Sequence, residues 1–448
     1  MWCSVLSRYL YLLLVAALLT ILIVLAVFKN KRGEAVLKAS INVDPSVKLK
    51  FKDLKGVNCG PLSPRGWNKN PSLNLTQRYL ELGVKVIRFH DLYGADDLDT
   101  IFPDPRANPD EPSSYNFKEL DKHILAAMKI ADVLIFRIGY DWHDSPKNWP
   151  HTGIDLAAQV AAHIVMHYTQ GWANGYRFRN ILWEVWNEPD IDRFWNGTAE
   201  QYFQLYDKVV RAIKRVNPEA KVGGPTIAYN LEFLDRFLNY TRTHNAPIDF
   251  VSWHIYTRNP RDIAERAKQV KEIMEKHGYA ELPSILDEWN YWWNEEPWDT
   301  FRGPLVAAFQ ASALAVMEDA PIDVATLYRG DAWNWGGIFY SDGKPGKPFY
   351  AWLAYKKLIE DAVRVKAYVE GADIAVLAAK KPDKELVILV SNYFDQPVEY
   401  TLNVTGDYRL AKVLAVDAEH NLEPVNVCYE DICRIGPQTV QLIIMSPK

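Results

Sequence analysis

Two glutamates one hundred positions apart carry the chemistry that this sequence can do. Glu188 stands near the end of the run Ile181-Leu-Trp-Glu-Val-Trp-Asn-Glu-Pro-Asp190, and Glu288 near the end of Leu282-Pro-Ser-Ile-Leu-Asp-Glu-Trp-Asn290. Each run opens on apolar residues of the kind that form a strand buried on both faces. Pro189 has no amide to donate and disfavours helix for Glu188, which leaves the carboxylate at the carboxyl end of its strand. A pair of strand-end carboxylates suits glycoside hydrolysis, one acting as acid/base and the other as nucleophile. The plainer reading, that each glutamate caps a loop or pairs with an arginine, accounts for one such residue more easily than for two.

The elements that must position them follow from the pattern. From about Phe51 short apolar runs alternate with longer amphipathic segments, as in parallel strands with crossover helices. Eight strands are expected: Leu54–Asn58, Val84–Phe89, Val133–Ile138, Ile181–Trp186, Lys221–Gly224, Phe250–Ile255, Pro283–Asp287 and Ala325–Arg329. Eight closes a (β/α)8 barrel, whose active sites lie at the carboxyl ends of its strands. One crossover helix is explicit. Thr198 caps it with Gln201 as capping-box partner, Tyr202, Leu205, Val209, Ile213 and Val216 form its apolar stripe, and Asn217-Pro218 stops it. After Lys356 the runs become short and β-rich (Ile374–Leu377, Leu386–Val390, Glu399–Val404, Val440–Ile444), which reads as an antiparallel β-sandwich. Leu37–Val43 is expected to add a strand to it. The expected organisation is an α/β chain: residues 1–33 an N-terminal transmembrane helix, 34–50 a linker and strand, 51–355 the catalytic barrel and 356–448 the sandwich.

Composition narrows the partners. With 48% hydrophobic and 24% charged residues the chain is globular, and a net charge of −5 gives no sign of a nucleic-acid partner. The sequence has neither a Cys/His or paired-His metal pattern nor a glycine-rich phosphate loop, so no metal and no cofactor is expected. Tyr9–Phe28 is twenty residues without a charge, long enough to span a bilayer and longer than the ~7–15-residue core of a cleaved signal. A membrane anchor with an extracellular catalytic domain is the reading taken, secretion after signal cleavage being its alternative. The basic cluster Lys29, Lys31 and Arg32 pulls the other way under the positive-inside rule. Sequons at Asn74, Asn196, Asn239 and Asn403 are compatible with export. Cys428 and Cys433 could close a small disulfide loop or remain two thiols.

The motifs Val86-Ile-Arg-Phe-His90, Trp186-Asn-Glu-Pro-Asp190, Trp253-His-Ile-Tyr256 and Asp287-Glu-Trp289, on strands two, four, six and seven, resemble those of the clan A retaining glycoside hydrolases. The chain looks most like family 39, which includes β-xylosidases and α-L-iduronidases. The resemblance implies that Glu188 is the general acid and then base, with a raised pKa, and that Glu288 is the nucleophile. The implied substrate-binding set is Asn187, His90, Arg88, His254, Tyr256, Trp289, Trp333 and Trp335. Within it Arg88 and Tyr256 would keep Glu288 ionised, Asn187 would hold the sugar 2-hydroxyl, and Trp333 or Trp335 would floor the site.

Trp289, Trp292, Trp293 and Trp298 follow the nucleophile, and aromatic faces stack on neutral pyranose rings. A uronic acid would require a cation cluster. Neutral β-linked sugars of the xylose, glucose or galactose type, within oligo- or polysaccharides, are therefore expected. An endo-acting β-glucanase or a transglycosylase would use the same residues, and an inactive carbohydrate-binding barrel is the rival from another class.

Overall fold

The computed structural model describes residues 36–64, 71–142, 147–292, 297–333, 335–429 and 432–448. The run Tyr9–Phe28, expected as an anchor, lies outside the described residues, as does Trp293. Among the described residues no helix is long and apolar enough to cross a membrane.

Eight parallel strands close the barrel: Gly56–Asn58, Val86–Phe89, Val133–Ile138, Ile181–Val185, Lys221–Ile227, Phe250–Thr257, Ser284–Tyr291 and Val324–Leu327. They are referred to as strands one to eight. Closure is tight where strand one meets strand eight, because a Cβ on Gly56 would stand 2.3 Å from the Ala325 carbonyl oxygen. Only glycine fits there. The crossover helix Ala199–Val216 forms as its sequence predicts, with Thr198 and Gln201 bonded in both directions and Tyr202, Leu205, Val209 and Ile213 buried.

Strand seven differs from expectation. It does not end at Asp287 but runs on to Tyr291, and its pairing jumps from Leu286↔Trp253 to Glu288↔His254. Asp287 is the extra residue of a β-bulge. Neighbouring residues in a regular strand face opposite sides; the bulge lets Asp287 and Glu288 both reach the barrel interior.

Helix Pro304–Met317 is apolar around almost its whole circumference, because it lies between the barrel and the second domain. That domain is a ten-stranded sheet whose two ends share one core, with Ile41, Tyr400 and Ile435 packed with Ile388, Val413 and Ile443. The expected N-terminal strand is present and longer than predicted, Leu37–Leu49, with Ala39, Ile41 and Val43 facing that core. It pairs antiparallel with Val363–Glu370 but parallel with Val398–Val404, so the sheet is mixed where an antiparallel one was expected. The parallel pair arises because this strand arrives from the front of the chain, with no hairpin to set its direction. Helix Lys347–Ile359 packs both on helix Pro304–Met317 and on strands of the second domain, joining the two parts.

Candidate active site

Strand four delivers Glu188 through an unusual turn. Trp186 and Glu188 both take positive φ, 74° and 43°, as does Thr226 on strand five, 57°. Such backbone costs about 1–3 kcal/mol per residue and persists only where its surroundings hold it. Here the Trp186 amide donates to the Ile138 carbonyl at 2.8 Å, its indole Nε1 to Phe194 O at 2.6 Å, and the Glu188 amide to Thr226 O at 3.0 Å. Asp190 completes the clamp by accepting the backbone amides of Ala228, Tyr229 and Asn230 at 2.8–3.0 Å. The last residue of the Asn-Glu-Pro-Asp motif is thus the fastener of its loop.

Beneath the carboxylates lies Arg88, with no accessible surface. Its guanidinium donates to Glu288 Oε2 at 3.0 Å, Asn187 Oδ1 at 2.8 Å, Asn58 Oδ1 at 3.0 Å and Glu184 Oε2 at 2.8 Å, and its Nε stands 3.1 Å from Asp287 Oδ2. Burial opposes its charge, but the three carboxylates outweigh that and raise its pKa above the ordinary value. Arg88 therefore pairs with Glu288 as the sequence reading expects, and its burial keeps it from meeting a substrate itself. Asn187 spends its carbonyl oxygen on Arg88 and leaves its buried Nδ2 without a protein partner, a donor available to a sugar hydroxyl.

The two glutamates meet at His254. Its Nδ1 lies 2.9 Å from Glu188 Oε1 and 3.8 Å from Glu288 Oε2, and its Nε2 lies 3.4 Å from Asp287 Oδ2. Burial disfavours the charged ring, yet Glu288, Asp287 and Glu188 together raise it well above the usual histidine range. Its Nδ1 is committed to Glu188, and its Nε2 is buried facing Asp287 without a hydrogen bond, so the ring is withdrawn from the expected sugar contacts. A Glu188 oxygen, a Glu288 oxygen and a His254 nitrogen lie within 4.8 Å of one another. The Tyr256 hydroxyl donates to Glu288 Oε1. Burial, with Glu188 nearby, nonetheless raises the Glu288 pKa, against His254, Arg88 and Tyr256, which hold it down. Glu288 is thus less acidic than the sequence reading expected.

The remaining predicted residues divide. His90, buried and held neutral by burial and by Arg88 and Arg137, has no protein partner on Nδ1. Trp335 packs against Tyr256 and Tyr328 with ring centres 5.4 and 5.5 Å apart, beside the tyrosine that bonds Glu288. Trp333 is buried against Tyr93 and over the Arg329 guanidinium. Of the two, Trp335 is the floor candidate. Trp289 is wholly buried in the hydrophobic core, because the residue after an inward Glu288 points outward into the helix layer. It contacts no sugar. Trp292 and Trp298, by contrast, are each 48% exposed.

Sequence reasoning missed a second polar cluster. Asp91 Oδ2 accepts from Trp142 Nε1 at 2.7 Å and from the Tyr328 hydroxyl at 2.7 Å, and Arg329 is clasped between Asp91 and Asp331. It also missed Glu184, Asp287 and Asp190. Glu184 gave a signal, being a charge in the middle of an otherwise apolar strand. Among the described residues two groups could offer three ligands to a cation, Glu188–His254–Glu288 and Asp96–Asp97–Asp141. In the first the imidazole is the charged partner, and in the second Arg137 and Lys147 already meet the carboxylates. Cys428 and Cys433 are joined by a disulfide, and Cys59 is a buried thiol.

The sequence profile described as Glycosyl hydrolases family 39 matches residues 55–360, the barrel and its closing helix. A β-xylosidase of Caldicellulosiruptor saccharolyticus is 26% identical over 365 residues, 70% of each chain. Among solved structures, a glucosidase from Croceicoccus marinus superposes with a TM-score of 0.74 at 25% identity, over 92% of this chain and 99% of that one. A monomeric β-xylosidase from Caulobacter crescentus CB15 shares the fold, with a TM-score of 0.69 at 17% identity over 91% and 99%. The profile spans more than half of the sequence, and the chain accordingly belongs to glycoside hydrolase family 39, a family of retaining enzymes.

Proposed function

We propose that this enzyme hydrolyses β-linked neutral sugars of the xylose, glucose or galactose type in oligo- or polysaccharides, by double displacement. Glu288 attacks the anomeric carbon while Glu188 protonates the leaving oxygen; Glu188 then takes a proton from the water that releases the sugar. The observation that carries this is the approach of the two carboxylates. Oxygens of Glu188 and Glu288 lie within 4.8 Å, on the retaining scale of about 5–5.5 Å and short of the ~6.5–9.5 Å that an inverting pair needs for its water. The donor left on Asn187 supports a 2-hydroxyl contact that tightens in the transition state. The neutral sugar is supported by charge: Arg88, Arg137 and Arg329, near the ends of strands two, three and eight, are fully buried and paired with carboxylates, while Arg258, just past strand six, lies over the Tyr291 ring. The test is a slow 2-fluoro aryl glycoside. A burst of phenol with a sugar adduct on Glu288 is expected, and inverted product stereochemistry would overturn the mechanism. Faster hydrolysis of aryl uronides than of aryl xylosides, glucosides and galactosides would overturn the substrate class.

We also propose that Tyr9–Phe28 anchors the chain in a membrane, with the barrel outside. The Leu37 amide donates to Pro397 O, and in the same connection, between the strands Leu386–Asn392 and Val398–Val404, the Tyr393 hydroxyl donates to Arg258 O, beyond strand six. An anchor ahead of Leu37 therefore attaches near the catalytic end. Recovery of the protein in a washed membrane fraction supports this, and recovery in the soluble fraction overturns it.

A further inference from the structure

The floor of the site holds more acid than base. Arg88 from strand two is the buried cation, and Glu184 from strand four with Asp287 and Glu288 from strand seven all press against it, Glu184 at 2.7 Å, Asp287 at 3.1 Å and Glu288 at 3.0 Å. The side chains of Arg88, Glu184 and Asp287 have no accessible surface, and that of Glu288 is 8% exposed. The other groups facing this cluster are His254 and Tyr256 from strand six, Glu188 beyond strand four and the neutral His90 beyond strand two. One guanidinium and one imidazolium cannot neutralise four carboxylates out of water, so the cluster must retain protons. The hydrogen bonding says where one of them sits. Glu184 Oε1 and both oxygens of Asp287 are buried and receive no well-formed bond from any N–H or O–H group, while the two carboxyl groups converge on one atom, Arg88 Nε, with Glu184 Oε2 at 2.8 Å and Asp287 Oδ2 at 3.1 Å.

We propose that Glu184 and Asp287 share one proton, carried by Glu184 and donated to Asp287, and that this pair is a positioning device for the acid/base. The proton stays on the pair through the cycle, and no bond to substrate forms there. Its effect is relayed. An anionic Asp287 beside Nε2 holds His254 charged, with Nδ1–H directed at Glu188 Oε1. When Glu188 has given its proton to the leaving group, that N–H steadies the carboxylate in the orientation from which it deprotonates water. The directions of titration agree: burial raises Glu184 well above the carboxylate range, while Asp287, with Arg88 and His254 outweighing its burial, is lowered. The bulge at Asp287 is what brings its carboxylate to this face at all.

The inference rests on Glu188 being the acid/base, and the test keeps the two apart. In the full chain, Glu184→Ala is expected to lower kcat/KM on a poor leaving group about 100-fold, and Glu184→Gln, whose amide still donates to Asp287, to recover most of that. Asp287→Asn is expected to discharge His254 and move the basic limb of the kcat/KM profile up by about one unit, since a cation beside Glu188 is lost. The loss in Asp287→Asn should be larger for poor than for good leaving groups, with KM little changed. If Glu184→Gln is as damaging as Glu184→Ala while melting like the parent, Glu184 acts as a charge and the shared proton is refuted. An unmoved basic limb in Asp287→Asn refutes the relay. Failure of azide to rescue Glu188→Ala refutes the acid/base assignment instead.

Discussion

The catalytic end of the barrel and the sandwich are built on opposite principles. At the catalytic end, Trp186, Glu188 and Thr226 hold left-handed backbone, Asn187, His90 and Glu184 bury polar atoms with no protein partner, and one arginine serves three carboxylates. In the sandwich the buried polar groups are answered. Tyr400 donates to Gln441 at 2.7 Å, Gln441 to Arg434 O at 2.8 Å, and Asn392 to the carbonyls of Gln396 and Gly436 at 2.8 Å. Among the described residues, the buried unpartnered side-chain atoms belong to the barrel, apart from Nε of Arg364, which faces the barrel's Asp319. Left-handed non-glycine backbone also occurs in the sandwich, at Lys384, Leu422 and Gln438, so it is the unpartnered buried atoms that set the barrel apart. Substitutions on the two sides should therefore fail differently.

The largest effect is expected at Glu288. Glu288→Ala removes the attacking atom and should lower kcat by about 10⁴-fold or more on every aryl glycoside, whatever the leaving group. A leaving-group-dependent loss would show that Glu288 is not the nucleophile. Glu188→Ala should discriminate instead, losing about 10²–10⁴-fold on poor leaving groups and far less on good ones, with azide restoring rate. Equal losses on both would dissolve the contrast between the two carboxylates. Both variants should melt like the parent, since each removes a group that the fold accommodates at a cost.

How much of this the chain announces depends on the range of the physics involved. Strand four was legible because Pro189 marks its end locally, and helix Ala199–Val216 because cap and stripe lie within its own residues. Strand seven was not, because its bulge is a relation between Asp287 and the neighbouring strands, and no local period encodes an extra residue. Trp289 misled for the same reason. Its spacing from Glu288 is one residue, and only register tells whether that means the cleft or the core. Arg88 was recognised as the partner of Glu288, and the structure pairs them; but exposure is a property of packing, so a sugar contact was expected for His254 where the structure buries it beside Glu188. The parallel pairing of Leu37–Leu49 with Val398–Val404 joins positions some 360 residues apart, beyond any local signal.

A smaller effect should come from the acidic cluster beside the site. Burial, with Asp141 beside both, pushes Asp96 up to about 6 and Asp97 up to about 7. A carboxyl raised on folding stabilises the protein fully below its unfolded value near 4 and loses that contribution as pH climbs through its folded value. Stability should therefore fall between pH 4 and 7, by at most about 1.4 kcal/mol per unit for each proton. Asp97→Asn, which keeps the acceptor for the Asp141 amide, should flatten that slope. A melting temperature that rises over the same range in the parent would contradict the shift.

The smallest effect on catalysis is expected in the sandwich. Cys428 and Cys433 pair across the last two strands at one end of the sheet order, where Tyr429 and Ile432 are 80% and 54% exposed. The loop they close has six residues, so loop-closure entropy gives the disulfide at most about 2 kcal/mol, and the hairpin's own pairing already supplies part of that constraint. Cys433 is 3% exposed, and a serine there would bury a hydroxyl; the informative variant is Cys428→Ser with Cys433→Ala. Its melting temperature should drop by a few degrees, and treatment of the parent with reductant should reproduce the drop. Its kcat/KM, measured well below that temperature, should match the parent, because no contact described for these cysteines leads to Glu188 or Glu288. A loss of kcat/KM without a loss of stability would mean that the sandwich takes part in catalysis, and the division between a barrel end with unpartnered buried atoms and a satisfied sandwich would have to be abandoned.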